Sequence, residues 1–400
     1  PGFKNILAKR HYHKNGAMRW ANAQVISHSD QLNRTMRRSG NAFLNLVMPV
    51  SEELYHALKK SVVADDSLAL AKPSKIEELQ VCCIELLAIR EAQKDEADTL
   101  SRDPIARSEL ENRAAQASVA VSDRLANCFE NAVWEFLGEE IEGRSLSAKV
   151  SEMADRIYYQ CPRVPNELLN RNKLSGTANS ALNKLMLAIL SKGDEDELGL
   201  PEKTFPPEKG IYISCVKNKG WHTPELQNRY AGHWISTDDE STDVTDHQDS
   251  YIVWRAGYDF LTQSKELVTL EALHRFWMAP PYGLTLGLAK LYSMLLLKSL
   301  ENHLAFYDFD TTKDWIYIPE LDEELVNKLW RYPHEAAVKH YSLGGIDNAL
   351  ISKVAAAAKG VDGSAENTSP LDAARALVRS VHALPSWVKR SSGVNLFQVG

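Results

Sequence analysis

Two stretches with apolar residues at intervals of three and four dominate the first half of the chain. In the first stretch, four apolar side chains fall on one helical stripe: Ile76, Leu79, Cys83 and Leu86. The second stretch begins at Asp103, an acid that can cap a helix, followed by Pro104, which suits a first turn. Its stripe runs through Leu110, Ala114, Ala117, Val121, Leu125, Phe129 and Val133. This spacing predicts an antiparallel, coiled-coil-like helical hairpin.

Between residues 266 and 345, segments with the apolar spacing of helices are followed by short apolar runs typical of strands. Thr269 precedes a short amphipathic helix, which Pro280 and Pro281 end, and a second helix follows over residues 285–302. Two short apolar runs, residues 304–309 and 315–318, flank a polar turn and predict a β-hairpin. Two helices followed by a β-hairpin are the order of a winged-helix module.

The predicted fold class is therefore mainly α, with a helical hairpin or bundle followed by a winged-helix-like α+β module that has a small β-hairpin. We predict five segments along the chain: a basic N-terminal arm (1–50), a long helical hairpin (51–143), a helical domain (144–265), the winged-helix-like module (266–345) and C-terminal helices (346–400).

Composition is typical of an ordinary soluble chain, with 44% hydrophobic and 25% charged residues, and excludes disorder and collagen. The 46 basic and 53 acidic side chains give a net charge of −7, so any nucleic-acid surface must be local. Five irregularly spaced cysteines without a C-x-x-C motif favour reduced thiols in the cytoplasm. No apolar run is long enough to span a bilayer, so we predict no membrane partner. The chain starts at Pro1 without a signal-peptide pattern, which suggests a piece of a longer protein.

Charge is unevenly distributed along the chain. The first 40 residues hold eight basic side chains against one acid, Asp30. This arm either attracts nucleic acid, with Arg34, Arg37 and Arg38 as contacts, or is a solvated linker. The helix over residues 284–300 is apolar almost all round, which is typical of a buried helix and favours a protein-docking winged helix over a DNA reader.

No catalytic motif occurs in the sequence. The phosphate-binding G-x-x-x-x-G-K-[ST] loop, the G-x-S-x-G elbow, the H-E-x-x-H motif and the dinucleotide fingerprint are all missing. We therefore predict no catalytic residue, metal ligand or cofactor site within these residues.

One polar string does stand out, immediately before a predicted helix. It contains Asn166, Glu167, Asn170, Arg171 and Lys173. These side chains either cap backbone groups and form an internal salt bridge, or they contact a phosphate or a carboxylate on a partner domain.

Four strings, read in order, carry a family resemblance: CPRVPNELLNRNKLSGTANSALNKLMLAIL, LGLPEKTFPPEKGIYISCVKNKGWHTPEL, TLEALHRFWMAPPYGLTLGLAKLYSMLLLKSL and LVRSVHALPSWVKRSSGV. Over roughly residues 140–395 the chain resembles very large bacterial P-loop ATPases of phage-exclusion (BREX and Pgl type) defence systems. The N-E-L-L-N-R and P-P-Y-G strings are the distinctive ones. The resemblance implies an ATPase module upstream of Pro1 that binds ATP and Mg²⁺, and other defence-system proteins as partners.

Three functional hypotheses follow. The first is a non-catalytic portion of a cytoplasmic anti-phage defence ATPase, which couples the motor to DNA or partner proteins. The second is a DNA-binding module that uses the basic arm and the wing between Phe309 and Trp315. The third is an architectural adaptor that assembles homo-oligomers through the hairpin over residues 76–138.

Overall fold

The chain folds into two compact units, Pro1–Tyr159 (unit 1) and Gln160–Gly400 (unit 2). The structure is a computed structural model, and it describes residues 2–31, 43–62, 65–171, 173–223, 230, 248–301, 303–309, 314–341 and 384–385. Each unit combines helices with a β-sheet. The fold is therefore mixed α/β, and the prediction of a mainly α chain with one small β-hairpin understated the strand content.

Unit 1 is built on a mixed six-stranded sheet that the sequence did not predict. Its strands lie side by side in chain order: β1 (Gly2–Leu7), β2 (Trp20–Ile26), β3 (Phe43–Pro49), β4 (Leu68–Ala71), β5 (Trp134–Phe136) and β6 (Glu139–Glu140). The β2, β3 and β4 strands are parallel to one another, and the remaining neighbours pair antiparallel. Two helices, α1 (Lys9–Asn15) and α2 (Glu52–Val62), connect β1 to β2 and β3 to β4.

The predicted basic arm over residues 1–50 is wrong where the structure describes it. Lys4, Lys9 and Arg10 are exposed, but apolar and small side chains of the same segment are buried: Ala8, Ala17, Ala21, Ala23 and Ile26. A charge count along forty residues does not detect this buried set, because it ignores the uncharged positions. Arg34, Arg37 and Arg38 lie outside the described residues.

A helical hairpin is present in unit 1, but it is shorter than the predicted segment 51–143, whose two ends form α2, β4, β5 and β6. It consists of α3 (Ile76–Asp95), α4 (Ala97–Arg102) and α5 (Pro104–Asn131). A carboxylate oxygen of Asp103 accepts hydrogen bonds from the backbone N–H groups of Ile105 and Ala106, each at 3.0 Å, which confirms the predicted cap. Members of both predicted stripes are buried: Ile76, Leu79, Leu86, Ala117, Leu125 and Phe129.

The domain boundary predicted after residue 143 is also wrong. The next helix, α6 (Leu146–Ile157), belongs to unit 1 because it packs against α1. The Ser147 hydroxyl donates a hydrogen bond to the carbonyl of Leu7 at 2.6 Å. Nδ1 of His11, whose side chain is fully buried, lies 2.8 Å from Oδ1 of Asp155. These contacts join the N-terminal strand and helix to the far end of the unit.

Unit 2 contains the helices and the hairpin that the sequence predicted. Its helices are α7 (Gly176–Ser191), α8 (Pro207–Cys215), α9 (Gln248–Gln263), α10 (Leu270–Met278), α11 (Leu286–Ser299) and α12 (Glu323–Arg331). Four antiparallel strands follow the order β7 (Val268–Thr269), β10 (Ala336–His340), β8 (Leu304–Phe309) and β9 (Trp315–Ile318). The Thr269 hydroxyl accepts a hydrogen bond from the N–H of Ala272 at 3.2 Å, as a helix cap does. The C-terminal helices predicted over residues 346–400 lie outside the described residues, Leu384 and Pro385 apart.

Helix α11 lies in the core of unit 2, as its apolar surface predicts. All residues from Leu291 to Leu297 are buried. Trp254 and Trp277 are also buried, and their indole N–H groups donate to the Ser299 hydroxyl at 3.2 Å and to the carbonyl of Val253 at 3.1 Å. A Cβ atom at Gly257 would come within 2.3 Å of the Trp277 ring, so only glycine allows α9 to pack this closely.

The packing of α1 against α6 predicts that unit 1 is sensitive to acid. Burial acts to raise the pKa of the Asp155 carboxyl group, but the hydrogen bond from His11 and the charges of His11, Lys14 and Arg10 outweigh it, so the pKa lies below the ordinary 3.8. Such a carboxylate contributes stability above its unfolded-state pKa and loses that contribution as the pH falls through the folded-state pKa. We expect urea unfolding of unit 1, followed by circular dichroism, to need less urea as the pH falls below about 4.

The Asp155→Asn variant separates this carboxylate from other acid effects. It should be less stable than the wild type at neutral pH, and its loss of stability between about pH 5 and pH 2 should be smaller. Asp123→Asn, which neutralises an exposed carboxylate in α5, serves as the control and should follow the wild-type profile. Parallel profiles for wild type and Asp155→Asn would contradict the prediction.

Candidate functional site

The first part of the predicted polar string, residues 166–171, forms a loop that hydrogen bonds hold in place before α7. Oδ1 of Asn166 accepts hydrogen bonds from the backbone N–H groups of Leu168 at 3.0 Å and Leu169 at 3.3 Å, which tightens the chain into a turn. Nδ2 of Asn166 donates to the Ser214 hydroxyl on α8 at 2.7 Å. The capping role predicted for this string is therefore present at Asn166, and the loop is held to a neighbouring helix.

The same loop is joined to the start of α11, directly after the P-P-Y-G string. The Thr285 hydroxyl donates a hydrogen bond of 2.8 Å to the carbonyl of Leu169, and it forms no cap bond with its own helix. At Gly287, a Cβ atom would lie 3.1 Å from Leu174 and 3.3 Å from the Leu169 carbonyl oxygen. The N-E-L-L-N-R string is thus joined to the first turn of α11, which follows the P-P-Y-G string in sequence.

The exposed side chains of these two segments include charged and apolar ones. Glu167, Arg171 and Lys173 are exposed, whereas Asn170 is buried. Met278 and Leu286, at the two ends of the P-P-Y-G turn, are 39% and 36% exposed. Among the residues that the structure describes, no salt bridge involves the three charged side chains, so the internal salt bridge weighed as one interpretation does not occur there.

The chemistry next to this loop is unreactive. The Ser214 hydroxyl accepts from Asn166 and donates to the carbonyl of Gly210 at 2.8 Å, so its proton is already engaged. Burial raises the pKa of the neighbouring Cys215 thiol to about 12, which keeps it protonated at neutral pH. No group of three or more His, Cys, Asp or Glu side chains in the described part of the chain could hold a metal ion.

Two buried histidines in unit 2 have opposite environments. Nδ1 of His222 lies 2.7 Å from the Tyr212 hydroxyl, and Nε2 lies 3.1 Å from the carbonyl oxygen of Gly193. Because a carbonyl can only accept, Nε2 carries the proton and Nδ1 accepts from the tyrosine. His274 is buried, and neither of its ring nitrogens has a hydrogen-bond partner among the described residues; burial, aided by the charge of Lys290, lowers its pKa to about 3. Sequence reasoning did not single out either residue, because burial and hydrogen bonding leave no spacing signal.

The β8–β9 segment, predicted as a DNA-contacting wing, has little positive charge. Asp308, at the end of β8, forms an ion pair with Lys328, and Asp314 is exposed before β9. The sequence between them adds Asp310 and Lys313, so this segment has three acids and one base. Such an acidic segment repels the phosphate backbone.

Comparison with protein-family models, curated proteins and solved structures finds no match to this chain. No helix among the described residues is long and apolar enough to cross a membrane. The function must therefore be argued from the geometry of the chain itself.

The bonds that hold the loop predict where substitutions are costly. Thr285→Val keeps the side-chain shape but leaves the Leu169 carbonyl without its donor, and Asn166→Ala removes the turn and the bond to Ser214. Each should lower the free energy of unfolding of unit 2 by about 1–3 kcal/mol, measured by urea denaturation. Arg171→Ala and Lys173→Ala, at exposed positions, should change it by less than about 0.5 kcal/mol. Equal effects at all four positions would show that the loop is not held in this way.

Proposed function

We propose that this chain is a non-catalytic helical and winged-helix portion of a large bacterial anti-phage defence ATPase, and that it couples the motor to partner proteins in the cytoplasm. The observation that favours partner proteins over DNA is the burial of α11, and the link to an ATPase rests on the sequence resemblance. The order of the elements α9, β7, α10, α11, β8 and β9 supports the proposal of a winged helix, in which α11 would correspond to the recognition helix of a DNA-reading module.

A recognition helix needs an accessible face with basic and amide side chains. Helix α11 has two lysines, and Nζ of Lys290 is engaged with the Trp330 carbonyl at 2.6 Å and lies 4.2 Å from the centre of the Trp330 ring. Lys298 forms an ion pair with Glu301 at 2.7 Å. The helix is therefore part of the hydrophobic core of unit 2. This favours a module that binds proteins over one that reads bases.

The surface formed by the loop and the P-P-Y-G turn supplies a docking face of the right character. Arginine and methionine are enriched in protein interfaces, and here Arg171 lies on a loop fixed to the turn that begins at Met278. Because the loop is held by hydrogen bonds in the free chain, little conformational entropy is lost when a partner binds. Among the described residues, the neighbouring Ser214 hydroxyl and Cys215 thiol are both unreactive, which suits a coupling role.

The proposal predicts the distribution of ATPase activity. The gene should encode a G-x-x-x-x-G-K-[ST] loop upstream of Pro1, and the longer protein should hydrolyse ATP. The 400-residue chain alone should hydrolyse ATP no faster than buffer. In the longer protein, Arg171→Glu combined with Lys173→Glu should lower the ATPase rate measured with the partner protein present about tenfold. Reversed charges at a docking face disfavour binding of that partner.

Lys203→Glu, an exposed charge reversal elsewhere in unit 2, is the matched control and should leave that rate unchanged. Hydrolysis by the 400-residue chain that Arg171→Ala abolishes would contradict a non-catalytic role. A gene without the phosphate-binding loop upstream would contradict the link to an ATPase.

Binding to DNA distinguishes the second hypothesis. If the chain docks proteins, we expect no measurable binding to duplex DNA at about 50 mM salt, followed by fluorescence anisotropy. If the basic residues form a phosphate-contact surface, affinity will fall steeply as salt rises, and charge reversal at Arg34, Arg37 and Arg38 will flatten that slope. Salt-dependent binding of this kind would support the DNA-binding hypothesis and contradict the proposal of protein docking.

A further inference from the structure

Helix α3 has two apolar stripes on different faces. One stripe, which includes Leu79 and Leu86, is buried in the hairpin against α5. The other contains Val81, Ile84 and Ala88 at intervals of three and four, with Leu87 beside it. At about 100° per residue the two stripes lie about 130° apart around the helix. An amphipathic helix of a two-helix hairpin needs only the first.

The second stripe, which we call the outer stripe of α3, is fully accessible. Val81, Ile84 and Leu87 are 65%, 66% and 63% exposed, and Ala88 is exposed as well. Single exposed apolar residues are ordinary on protein surfaces, but adjoining ones on one helical face mark an interaction site. Each of these side chains loses hydrophobic free energy by remaining in water, which a helix laid along α3 would recover.

Acidic residues continue the outer stripe in both directions. Glu77 precedes it by four residues, and Glu91 and Asp95 follow at the same spacing of three and four, all three exposed. Glu77 and Glu91 are about 21 Å apart along the axis. Lys94 is the nearest cation, beside the stripe and 3.4 Å from Glu91, but both side chains are exposed and solvent screens the pair.

This charge pattern indicates which kind of helix can bind the outer stripe of α3. A second copy of α3 would bring acids together in either orientation, because Glu77 would face Glu91 in an antiparallel pair and its own copy in a parallel pair. Like charges placed opposite one another disfavour association. A helix with an apolar middle and basic residues toward both ends would place its cations near the acids of α3 in either a parallel or an antiparallel orientation.

We propose that the outer stripe of α3 binds a basic amphipathic helix of a partner protein. The partner helix lies along α3 and adds a third helix to the hairpin, with its apolar residues on Val81, Ile84 and Leu87. Its Lys or Arg side chains reach Glu77 at one end and Glu91 and Asp95 at the other. The proposal rests on α3 alone and is independent of the ATPase assignment.

A designed peptide probe tests the proposal with the full chain. The probe is a fluorescein-labelled peptide of Leu, Ala and Lys, about 21 residues long, with leucines at intervals of three and four in its middle and lysines toward both ends. A second probe has Glu in place of Lys. In anisotropy titrations we expect the Lys probe to bind the wild type, and Ile84→Glu to weaken that binding at least about tenfold.

Two further variants give the control and the charge exchange. Val119→Glu places the same new acid at another exposed apolar position of the hairpin, 60% exposed on α5, and should leave binding of the Lys probe unchanged. The double variant Glu77→Lys with Glu91→Lys should no longer bind the Lys probe and should bind the Glu probe. Because these positions are exposed, circular dichroism should show every variant folded.

The proposal is overturned by any of three results. The Lys probe does not bind the wild type, or Val119→Glu weakens it as much as Ile84→Glu does. Alternatively, light scattering shows a dimer of the free chain that Ile84→Glu dissociates, in which case a second copy occupies the stripe.

Discussion

The burial of α11 is the constraint on which the rest of unit 2 depends. A helix with leucines on every side must be enclosed by other elements, and α7, α9, α10 and α12 all pack against it. Each fully buried leucine contributes about 1.5–3 kcal/mol of hydrophobic free energy, so α11 is the largest single source of apolar burial among the described helices. The glycine at 257 and the small residue Ala289 allow neighbouring helices to approach it.

Enclosure of α11 also requires that the polar groups around it find partners. The Ser293 hydroxyl donates to the carbonyl of Ala289 at 2.9 Å, and Ser299 accepts from the indole N–H of Trp254. At the first turn, Thr285 gives its hydroxyl to the Leu169 carbonyl and not to its own helix. A buried carbonyl without a donor is costly, and Leu169 is fully buried. The fixed geometry of the loop before α7 is thus a consequence of the core.

Sequence patterns predicted the elements whose signal is local. The hairpin helices followed from the stripe through Leu125 and from the Asp103 cap, and β8 and β9 followed from short apolar runs around a polar turn. The sheet of unit 1 left no such signal. Its β2 strand buries alanines, Ala21 and Ala23, which have little preference for strands, and its pairing with β3 joins segments distant in sequence. In the candidate site, the string at Asn166 was visible, but its bond to Ser214 and its contact with Thr285 depend on the tertiary fold.

The contrast between α11 and α3 connects the fold to function. Both helices are apolar on more than one face, and hydrophobic free energy favours covering every such face. Unit 2 supplies α11 with neighbours on all sides, whereas α3 in the described part of unit 1 has the hairpin partner α5 against one stripe and leaves Val81, Ile84 and Leu87 in water. If this stripe had no use, polar substitutions there would cost nothing in folding, because the side chains are already exposed. Apolar residues bounded at both ends by acids are therefore better explained by binding than by the stability of the hairpin.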